Sequence, residues 1–579
     1  PWEPVLAGME EVGTGLLDRL DALQRVAASA PAGPLLVVAG PGTGKTRTLT
    51  HRIAYLCAEL GVDPGSCLAI TFTRRAAEEM RSRLQVLLGP SAEHVTVTTF
   101  HALGLRILRE NAAAAGLSED FAIADESQRE AALAAAASDV DAYRKLLRER
   151  NLVELDELTT TPLAILREDP ALAERYRARW PWVFVDEYQD VDEAQYELLR
   201  ILVPPDGNIC AIGDPDQAIY SFRGADVGYF LRFSEDFTDA RMVRLARNYR
   251  SSAPIIAAAS QVIAPGSLVR GRRLEPARLD PEAPLLGIYQ AANPTAEAEW
   301  VAAAIDRLVG GVSHRSFDAG RVDSRAGDEG VSFSDIAVLY RTDAQAAPIV
   351  EALTRAGIPV QKRSHDRLCD RRAVAAIARE LRFESQSGPN VHTGLVDRVR
   401  AAGRTLAAGA PRLFDPDGTP PPTIPEAEIY SAVDLLVPLA ARCADVGELL
   451  QALATGAEVD ALDPRAQAVT LLTLHAAKGL EWPVVFLIGC EDGLLPLRLP
   501  GTPLTDEALA EERRLFFVGI TRAQQRLFLS HTVRRQRFGV EHRPARTPFL
   551  DPVDAGLLER LGESAQRPEP PRHRQLRLL

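Results

Sequence analysis

The sequence of 579 residues has few lysines, few cysteines and no long apolar run. Its six cysteines form no Cys-x-x-Cys pair and no Cys/His cluster, which argues against a zinc site or a disulfide framework and favours a reducing cytoplasm. No apolar run approaches the roughly 18 residues of a membrane-spanning helix, and no charged-then-apolar leader opens the chain. We therefore expect a cytoplasmic protein without a membrane role. Because the chain begins with Pro1, we expect it to be processed or cut from a longer protein.

Positive charge is also in deficit, since 66 Lys and Arg face 79 Asp and Glu for a net charge of −13. This balance argues against a general polyanion binder, although one arginine-lined groove is enough to hold a nucleic acid. Only four basic residues are lysines, namely Lys45, Lys145, Lys362 and Lys478. Lys45 stands out among them because it follows a glycine-rich segment.

Short apolar segments rich in branched residues alternate with helical segments, which predicts parallel sheets covered on both faces. The first group comprises residues 34–39, 67–72, 94–100, 182–185 and 208–213. The second group comprises residues 283–289, 335–340, 468–474, 484–489 and 526–530. We therefore predict an α/β protein with two lobes.

Two helix-rich stretches, at about 106–179 and about 383–462, lack convincing strands and are predicted to be helical insertions. Residues 409–425 are rich in Pro and Gly, and residues 313–330 are polar with several glycines, so both are predicted to be loops. From Arg567 onward the chain is rich in Arg and Pro and is predicted to be disordered.

The segment Ala-Gly-Pro-Gly-Thr-Gly-Lys-Thr fits a phosphate-binding loop between a predicted strand and a predicted helix. Glycines there let backbone N–H groups curve around phosphate oxygens, and the helix start adds positive potential. Lys45 would place a compact ammonium between the terminal phosphates, and Thr46 would offer a hydroxyl to Mg²⁺. The expected nucleotide-binding residues of this loop are Gly40, Gly42, Thr43, Gly44, Lys45 and Thr46.

Hydrolysis also needs a metal-bound carboxylate and a group that orients water. Asp186 and Glu187 directly follow the apolar strand at 182–185, where an open α/β sheet places its ligand-contacting residues. Asp186 would hold Mg²⁺ through water, and Glu187 would polarise the attacking water. Together with the glycine loop, the pair predicts a Mg²⁺-dependent nucleotide hydrolase.

Two longer segments resemble motifs of a known family. These are residues 186–190, Asp-Glu-Tyr-Gln-Asp, and residues 213–225, Gly-Asp-Pro-Asp-Gln-Ala-Ile-Tyr-Ser-Phe-Arg-Gly-Ala. They are similar to motifs of the UvrD/Rep/PcrA group of superfamily 1A DNA helicases. The resemblance continues through residues 20–24, 70–80, 99–101, 247–251, 473–481 and 511–523. Ordered matches of this length are specific, and they imply two RecA-like P-loop lobes that hydrolyse ATP in the cleft between them.

The resemblance also implies a domain order. The ATP-binding lobe 1A would comprise residues 1–105 and 180–248, and lobe 2A would comprise residues 249–382 and 463–553. Residues 106–179 would be a 1B-like insertion, residues 383–462 a reduced 2B-like insertion, and residues 554–579 a basic Pro/Arg-rich disordered tail. Because both insertions are shorter than in well-known relatives, the resemblance supports a motor better than it supports strand separation.

On the base side of the nucleotide, the resemblance implies roles for four residues. Gln24 would read adenine through its Hoogsteen edge. Arg47 and Tyr249 would sandwich the base, and Glu481 would hold the ribose.

On the phosphate side, Gln217 would sense the γ-phosphate and report it to the DNA-facing segment that follows. Arg250 and Arg522 would act as arginine fingers that stabilise the charge growing in the transition state. Without the motif context, a solvated surface role would be the better reading of these two arginines.

The expected DNA contacts are aromatic or cationic side chains, namely Phe72, His101, Tyr220, Phe222, Arg223 and His475. Bases would stack on the rings while cations hold phosphates, an arrangement that tolerates any sequence. Relatives usually carry tryptophan at the position of Phe222, so a weaker grip on DNA is expected there.

These features predict an ATP-dependent, 3′-to-5′ translocase and helicase that acts on single-stranded DNA and single-strand/duplex junctions. Its setting would be bacterial DNA repair or recombination at the nucleoid. Alternatively, the chain is the motor subunit of a larger helicase–nuclease or repair assembly, with repair or recombination proteins as partners. A DNA-binding scaffold with a dead ATP site would need a damaged catalytic position, and none is seen. A P-loop enzyme for small molecules would leave the aromatic DNA segments unexplained.

Overall fold

The computed structural model describes residues 15–124, 126–136, 139–277, 279–310, 330–363, 368–386, 394–409, 424–455, 462 and 466–562. The chain forms two compact units. Unit 1 comprises Pro1–Tyr249, Leu268–Gly271 and Arg363–Ala466, and unit 2 comprises Arg250–Ser267, Arg272–Lys362 and Gln467–Leu579. The predicted loops at 313–330 and 409–425 lie outside the described residues except at their ends, and the tail from Arg567 lies wholly outside them.

Unit 1 contains a parallel sheet of six strands. In spatial order these are Thr96–Thr99, Cys67–Thr71, Trp182–Val185, Asn208–Gly213, Leu35–Ala39 and Arg241–Leu245. Successive strand residues face opposite sides, so Leu35 and Val37 join one apolar cluster while Leu36 joins the other. The sheet therefore has a core on each face, as predicted for parallel strands.

Helices cover both faces of this sheet. They are Ala22–Ala28, Lys45–Ala58, Arg74–Leu88, Phe100–Glu110, Glu193–Leu202, Gly228–Leu231 and Phe233–Asp236. The helix predicted after the glycine loop begins at Lys45 and ends at Ala58.

The first insertion consists of helices Glu126–Ala135, Val140–Glu149, Glu157–Glu168 and Pro170–Arg179. Strands Ala122–Ile123 and Leu152–Val153 pair in parallel, so the prediction of a stretch without strands is wrong for this short ladder. The insertion packs tightly on the lobe, since a Cβ on Gly104 would lie only 1.6 Å from the carbonyl oxygen of Leu158. Gly104 lies in the helix Phe100–Glu110, which crosses the expected boundary at residue 106.

The second insertion consists of helices Arg372–Gln386, Leu395–Ala407, Glu426–Ala440 and Val446–Thr455, which share a separate apolar core. Arg129 contacts Asp370 over 2.5 Å, and Arg442 contacts Glu78 over 3.6 Å, so the insertion is joined to the rest of unit 1. The insertion boundary predicted at residue 383 is wrong, because residue 383 lies inside the helix Arg372–Gln386. Val374, Ile377 and Leu381 of that helix pack into the insertion core, so the helix belongs with the insertion.

Unit 2 contains a parallel sheet of seven strands. In spatial order these are Val360–Lys362, Val469–Thr473, Ile336–Tyr340, Trp482–Leu487, Ala523–Thr532, Leu286–Ala291 and Leu558–Leu561. Its helices are Ala253–Ile263, Pro294–Leu308, Ala346–Arg355 and Asp506–Ile520, and short strands Arg535–Arg537 and Val540–His542 form an antiparallel ribbon. Two sheets flanked by helices confirm the predicted α/β class with two lobes.

The prediction of a disordered tail from residue 554 is wrong for its first residues. Residues 554–562 are ordered because the strand Leu558–Leu561 hydrogen-bonds to the edge strand Leu286–Ala291, with Leu558 opposite Leu286. Two-residue strands also occur at Arg247–Asn248 and Glu275–Pro276. None of the helices among the described residues combines the length and the apolar character that a bilayer crossing requires.

Candidate functional site

The glycine loop connects the strand Leu35–Ala39 to the helix Lys45–Ala58. Gly42 and Gly44 have φ values of 67° and 80°, in the left-handed region that favours glycine. The hydroxyl of Thr43 donates to the carbonyl of Gly40 over 2.8 Å, which closes the loop on itself. Backbone N–H groups and the positive helix end therefore converge on one spot suited to phosphate.

Four side chains meet at this loop. Lys45 Nζ lies 3.4 Å from Glu187 Oε1, and the Thr46 hydroxyl donates to Asp186 Oδ2 over 3.3 Å. The N–H of Glu187 donates to Asp186 Oδ1 over 3.0 Å, and Glu187 has a φ of 52°. The structure thus brings together the loop lysine, the loop hydroxyl and the acidic pair that the sequence pattern singled out.

Burial and neighbouring charges shift the pKa of Asp186 in this cluster. Burial, as the largest cause, and the Glu187 charge raise the pKa of its carboxyl to about 7, against the opposing effect of Lys45. A divalent cation beside Asp186 would stabilise its charged form. The Thr46 hydroxyl and the Asp186 carboxylate are oxygen donors of the kind that Mg²⁺ takes together with substrate phosphates, so these residues fit Mg²⁺. No cluster of three or more His, Cys, Asp or Glu metal ligands occurs within the described ranges.

The base-side residues of unit 1 also lie together. Gln24 is 1% exposed, and its Nε2 donates to the Thr43 carbonyl of the loop over 2.9 Å. Asp21 caps the helix Ala22–Ala28, and the hydroxyl of Tyr249 donates to Asp21 Oδ2 over 2.6 Å. Tyr249 is 44% exposed, and the Arg247 guanidinium lies 5.8 Å from the centre of its ring. Arg47 at the start of the next helix donates to the carbonyl of Arg19.

Burial and the bond to Asp21 raise the pKa of Tyr249 to about 12, so its hydroxyl stays protonated at neutral pH. The Tyr249 N–H donates to Gly42 O over 2.8 Å, and Asn248 Nδ2 donates to Pro41 O over 2.6 Å. The sequence interpretation missed Asp21 and Asn248. The pair Asp21 and Gln24 forms a capping box, a pattern that could have identified Asp21 from the sequence.

Gln217 lies in unit 1 just beyond the strand Asn208–Gly213. It is 2% exposed, and its Nε2 donates to Asp214 Oδ2 over 2.6 Å. Asp214 also accepts from the N–H of Asp216 over 3.2 Å, so the turn is internally fixed. The γ-phosphate role of Gln217 stays a prediction.

Arg250 and Glu481 lie together in unit 2. Arg250 Nε forms an ion pair with Glu481 Oε2, Arg250 Nη1 donates to Thr521 O over 3.3 Å, and Gln524 Nε2 donates to Glu481 Oε1 over 2.9 Å. Burial acts to raise the pKa of the Glu481 carboxyl, but the Arg250 charge and the Gln524 bond outweigh it and hold this pKa below its usual value. The predicted ribose-binding carboxylate and the predicted arginine finger are thus direct partners.

Arg522 belongs to the same region of unit 2 and is 1% exposed. Its Nε donates to Val518 O over 2.9 Å and its Nη1 to Leu480 O over 3.0 Å. Its Nη2 donates to the Thr521 hydroxyl over 3.2 Å. Arg522 is therefore a buried and well-held cation rather than a solvated surface arginine.

An aromatic cluster in unit 1 contains four of the six expected DNA contacts. Phe72 and Tyr220 stack with ring centroids 5.9 Å apart and planes 3° apart, and Tyr220 and Phe222 lie 6.1 Å apart. The Arg223 guanidinium lies 5.8 Å from the Tyr220 ring and 5.7 Å from the Phe222 ring. Phe222 is 64% exposed, whereas Tyr220 is 5% exposed. Tyr220 therefore lies inside the cluster, and Phe222 is its most exposed ring.

The two expected histidine contacts fall in different units. His101 lies in the first turn of the helix Phe100–Glu110 of unit 1, and His475 follows the strand Val469–Thr473 of unit 2. Both are half-buried. Their DNA contacts stay predictions.

A groove of about 1010 Å³ in unit 1 runs beside two of the segments that resemble DNA-contacting motifs. Arg74 comes from one segment and Thr99 from the other, and three further arginines line it, namely Arg81, Arg106 and Arg109. Four glutamates share the groove, so its charge is mixed. The sequence interpretation did not single out these arginines.

Comparisons with known proteins agree with this geometry. The UvrD/REP helicase N-terminal domain matches residues 20–142 and 134–238, and the UvrD-like helicase C-terminal domain matches residues 243–383 and 445–534. The second match is interrupted between residues 383 and 445, within the second insertion.

Curated relatives match nearly the whole chain. ATP-dependent DNA helicase PcrA of Bacillus subtilis (strain 168) is 30% identical, with 96% of this chain and 89% of that protein covered. ATP-dependent DNA helicase UvrD1 of Mycobacterium tuberculosis (strain ATCC 25618 / H37Rv) is 34% identical, with 94% and 85% covered. PcrA of Staphylococcus aureus (strain Mu50 / ATCC 700699) is 28% identical, with 94% and 87% covered. The chain therefore belongs to the UvrD/Rep/PcrA family of DNA helicases.

Proposed function

We propose that this protein is an ATP-driven motor that moves 3′ to 5′ along single-stranded DNA. The observation that carries the proposal is the closed glycine loop with Lys45, Thr46, Asp186 and Glu187 beside it, in a chain of the helicase family. The relatives' names, ATP-dependent DNA helicases, support ATP as the nucleotide and DNA as the substrate. The expected setting is DNA repair or recombination in the bacterial cytoplasm, at the nucleoid.

In the proposed reaction, Lys45 exchanges its contact with Glu187 for the nucleotide phosphates. The released Glu187 carboxylate then orients a water for attack on the γ-phosphorus and accepts its proton, while the bond between phosphorus and the ADP oxygen breaks. Mg²⁺, held by Thr46 and Asp186, would neutralise charge on the phosphate oxygens. Arg250 and Arg522 would stabilise the charge that develops on the transferring phosphoryl group.

On the base side, Gln24 would recognise adenine while Arg47 and Tyr249 enclose it, and Glu481 would hold the ribose. The exposure of Tyr249 supports stacking on a base. The hydrogen bond from its hydroxyl to Asp21 fixes the orientation of the ring.

In DNA binding, Phe222 would stack on a base and Arg223 would supply a cation for a phosphate. The stacked pair Phe72 and Tyr220 would support both residues from below. His101 and His475 would contact the backbone. The substrate would be single-stranded DNA next to a duplex. Because the second insertion is short, we expect weak unwinding by the chain alone, and a second candidate function is the motor subunit of a larger repair assembly.

Steady-state ATPase measurements with and without oligo-dT test the proposal. We expect strong stimulation by DNA, and we expect Glu187→Gln to abolish turnover while it leaves nucleotide binding intact, since the glycine loop is untouched. Glu193→Gln is a matched control, because Glu193 is exposed in the next helix. Turnover that is indifferent to DNA would overturn the motor.

Stopped-flow fluorescence with oligonucleotides labelled at either end then reports the direction of movement. Arrival of the protein at the label on the 5′ end supports 3′-to-5′ translocation, and arrival at the label on the 3′ end contradicts it. Unwinding of a 3′-tailed duplex, measured in parallel, separates a stand-alone helicase from a motor subunit.

A further inference from the structure

Gln189 forms a hydrogen-bonded bridge between two parts of the nucleotide site of unit 1. Its Nε2 donates to Glu187 Oε2 over 2.6 Å, and its Oε1 accepts from the N–H of Asp214 over 2.9 Å. Asp214 in turn accepts from Gln217 over 2.6 Å, and Glu187 contacts Lys45 over 3.4 Å. A continuous series of polar contacts thus runs from the glycine loop to Gln217.

The surroundings of Gln189 hold this bridge in place. Gln189 is fully buried, at 0% exposure, and its Nε2 also donates to Asp190 Oδ2 over 3.1 Å. A Cβ on residue 213 would lie 2.2 Å from Gln189 Oε1, so the glycine at that position leaves the space that the amide occupies. A buried amide this confined has one orientation that satisfies both its donor and its acceptor.

The chemistry of the bridge explains why glutamine suits the position. A carboxylate there would repel Glu187 and Asp190 and could not donate to either, and an apolar side chain would leave the Asp214 N–H without this acceptor. Only an amide of this length offers a donor to the carboxylates and an acceptor to the backbone at once. Gln217 lies three residues before Tyr220, whose ring belongs to the aromatic cluster.

We propose that Gln189 is a positioning residue that couples the water-orienting carboxylate of Glu187 to Gln217 and the DNA-facing segment. This inference rests on the proposed function and deepens it. When Lys45 turns to the phosphates, the donor of Gln189 keeps Glu187 in place, and a shift of Asp214 and Gln217 moves that donor. Binding of DNA at the aromatic cluster thereby changes the position of the carboxylate that orients the attacking water.

The test compares Gln189→Met with the natural protein. Methionine keeps the length of the side chain but removes all three hydrogen bonds of the amide. We expect the turnover number with saturating oligo-dT to fall roughly 100-fold, as a small misplacement of a catalytic group does, while turnover without DNA falls much less. Binding of a fluorescent ATP analogue and binding of oligo-dT should stay close to those of the natural protein, while the melting temperature should fall somewhat because the Asp214 N–H loses its buried acceptor.

Gln195→Met is the matched control, because Gln195 is also buried, at 4% exposure, and lies outside the series. It should retain full stimulation by DNA. The variant Gln189→Glu regains a donor only when the new carboxyl is protonated, so its turnover relative to the natural protein should rise as the pH is lowered. A residue with only a structural role would not produce that pH dependence.

A double-mutant cycle decides the coupling to Gln217. If both residues act in one series, Gln189→Met and Gln217→Met combined should cost little more than either alone. Additive losses, or full DNA stimulation in Gln189→Met, would overturn the inference. A natural protein whose ATPase ignores DNA would instead overturn the proposed function, so the two failures are distinct.

Discussion

The side chain of Gln24 donates a hydrogen bond to the carbonyl of Thr43 over 2.9 Å, so the helix Ala22–Ala28 is tied to the middle of the glycine loop. The same amide accepts from the N–H of Asp21 over 3.2 Å, and Asp21 accepts from Tyr249. The residues expected to surround adenine therefore also hold the loop that would bind phosphate. The expected recognition of the base and the geometry of the loop would therefore depend on the same contacts.

Gln24→Met should lower the affinity for ATP about tenfold, equivalent to about 1.4 kcal/mol, because it removes a buried bond to the loop. The affinity for GTP should fall less than the affinity for ATP if Gln24 also reads adenine. Titrations with fluorescent analogues of both nucleotides measure this. An unchanged ATP affinity would show that neither role is correct.

Asp186→Asn should stabilise the ligand-free protein above pH 7 while it abolishes turnover. The folded-state pKa of about 7 lies above the unfolded value, so the folded protein binds more protons between about pH 4 and pH 7, and stability falls as the pH rises through that window. Asparagine removes this loss, which is a few kcal/mol at most. Melting temperatures with EDTA at pH 5 and pH 8 provide the measurement. A parallel pH dependence in both proteins would contradict the assignment.

Phe222→Ala and Tyr220→Ala should separate DNA binding from stability. Phe222 is exposed, so its loss should weaken oligo-dT binding by about 1 to 3 kcal/mol with little change in melting temperature. Tyr220 is buried in the stack with Phe72, so its loss should destabilise unit 1 by about 3 kcal/mol. Phe222→Trp should tighten binding. Fluorescence anisotropy and thermal unfolding report the two effects, and equal effects of both alanine variants would refute this division.

Arg250→Lys should reduce the turnover number roughly 1000-fold if Arg250 acts as an arginine finger, since an ammonium cannot reproduce the planar donor pattern. The ATP affinity should change much less. Arg244→Lys is the control, because Arg244 is exposed on the strand Arg241–Leu245. Single-turnover hydrolysis measures the step directly. A loss of ATP affinity that matches the loss of turnover would indicate a role in binding instead.

The strands in the interior of both sheets could be predicted from the sequence because they are continuous apolar runs. Three strands of these two large sheets were missed, Arg241–Leu245, Val360–Lys362 and Leu558–Leu561, and each lies at an edge of its sheet. Edge strands are short or polar because one side faces no partner strand, so their apolar signal is weak. The strand Arg241–Leu245 illustrates this, since the exposed Met242 and Arg244 alternate with the buried Val243 and Leu245.

Residues of the candidate site could be predicted where a sequence motif contains them. The burial and contacts of a side chain were harder to predict, because they depend on packing. Lys45 and Asp186 follow from a spacing pattern that the structure matches with contacts. Residue spacing could not show that Tyr220 is covered while Phe222 is open, because burial depends on how a turn packs against Phe72. Nor could it reveal Gln189 as a bridge, since its two partners come from separate strand ends.

The strand Leu558–Leu561 lies beside Leu286–Ala291 as the last member of its sheet. A chain shortened to residue 553 would retain every expected catalytic residue and yet leave the backbone N–H and C=O groups of Leu286–Ala291 open to another molecule. An exposed edge strand of this kind is a template for pairing with a second copy of the chain. Protein produced in that shortened form should therefore be prone to aggregation on storage.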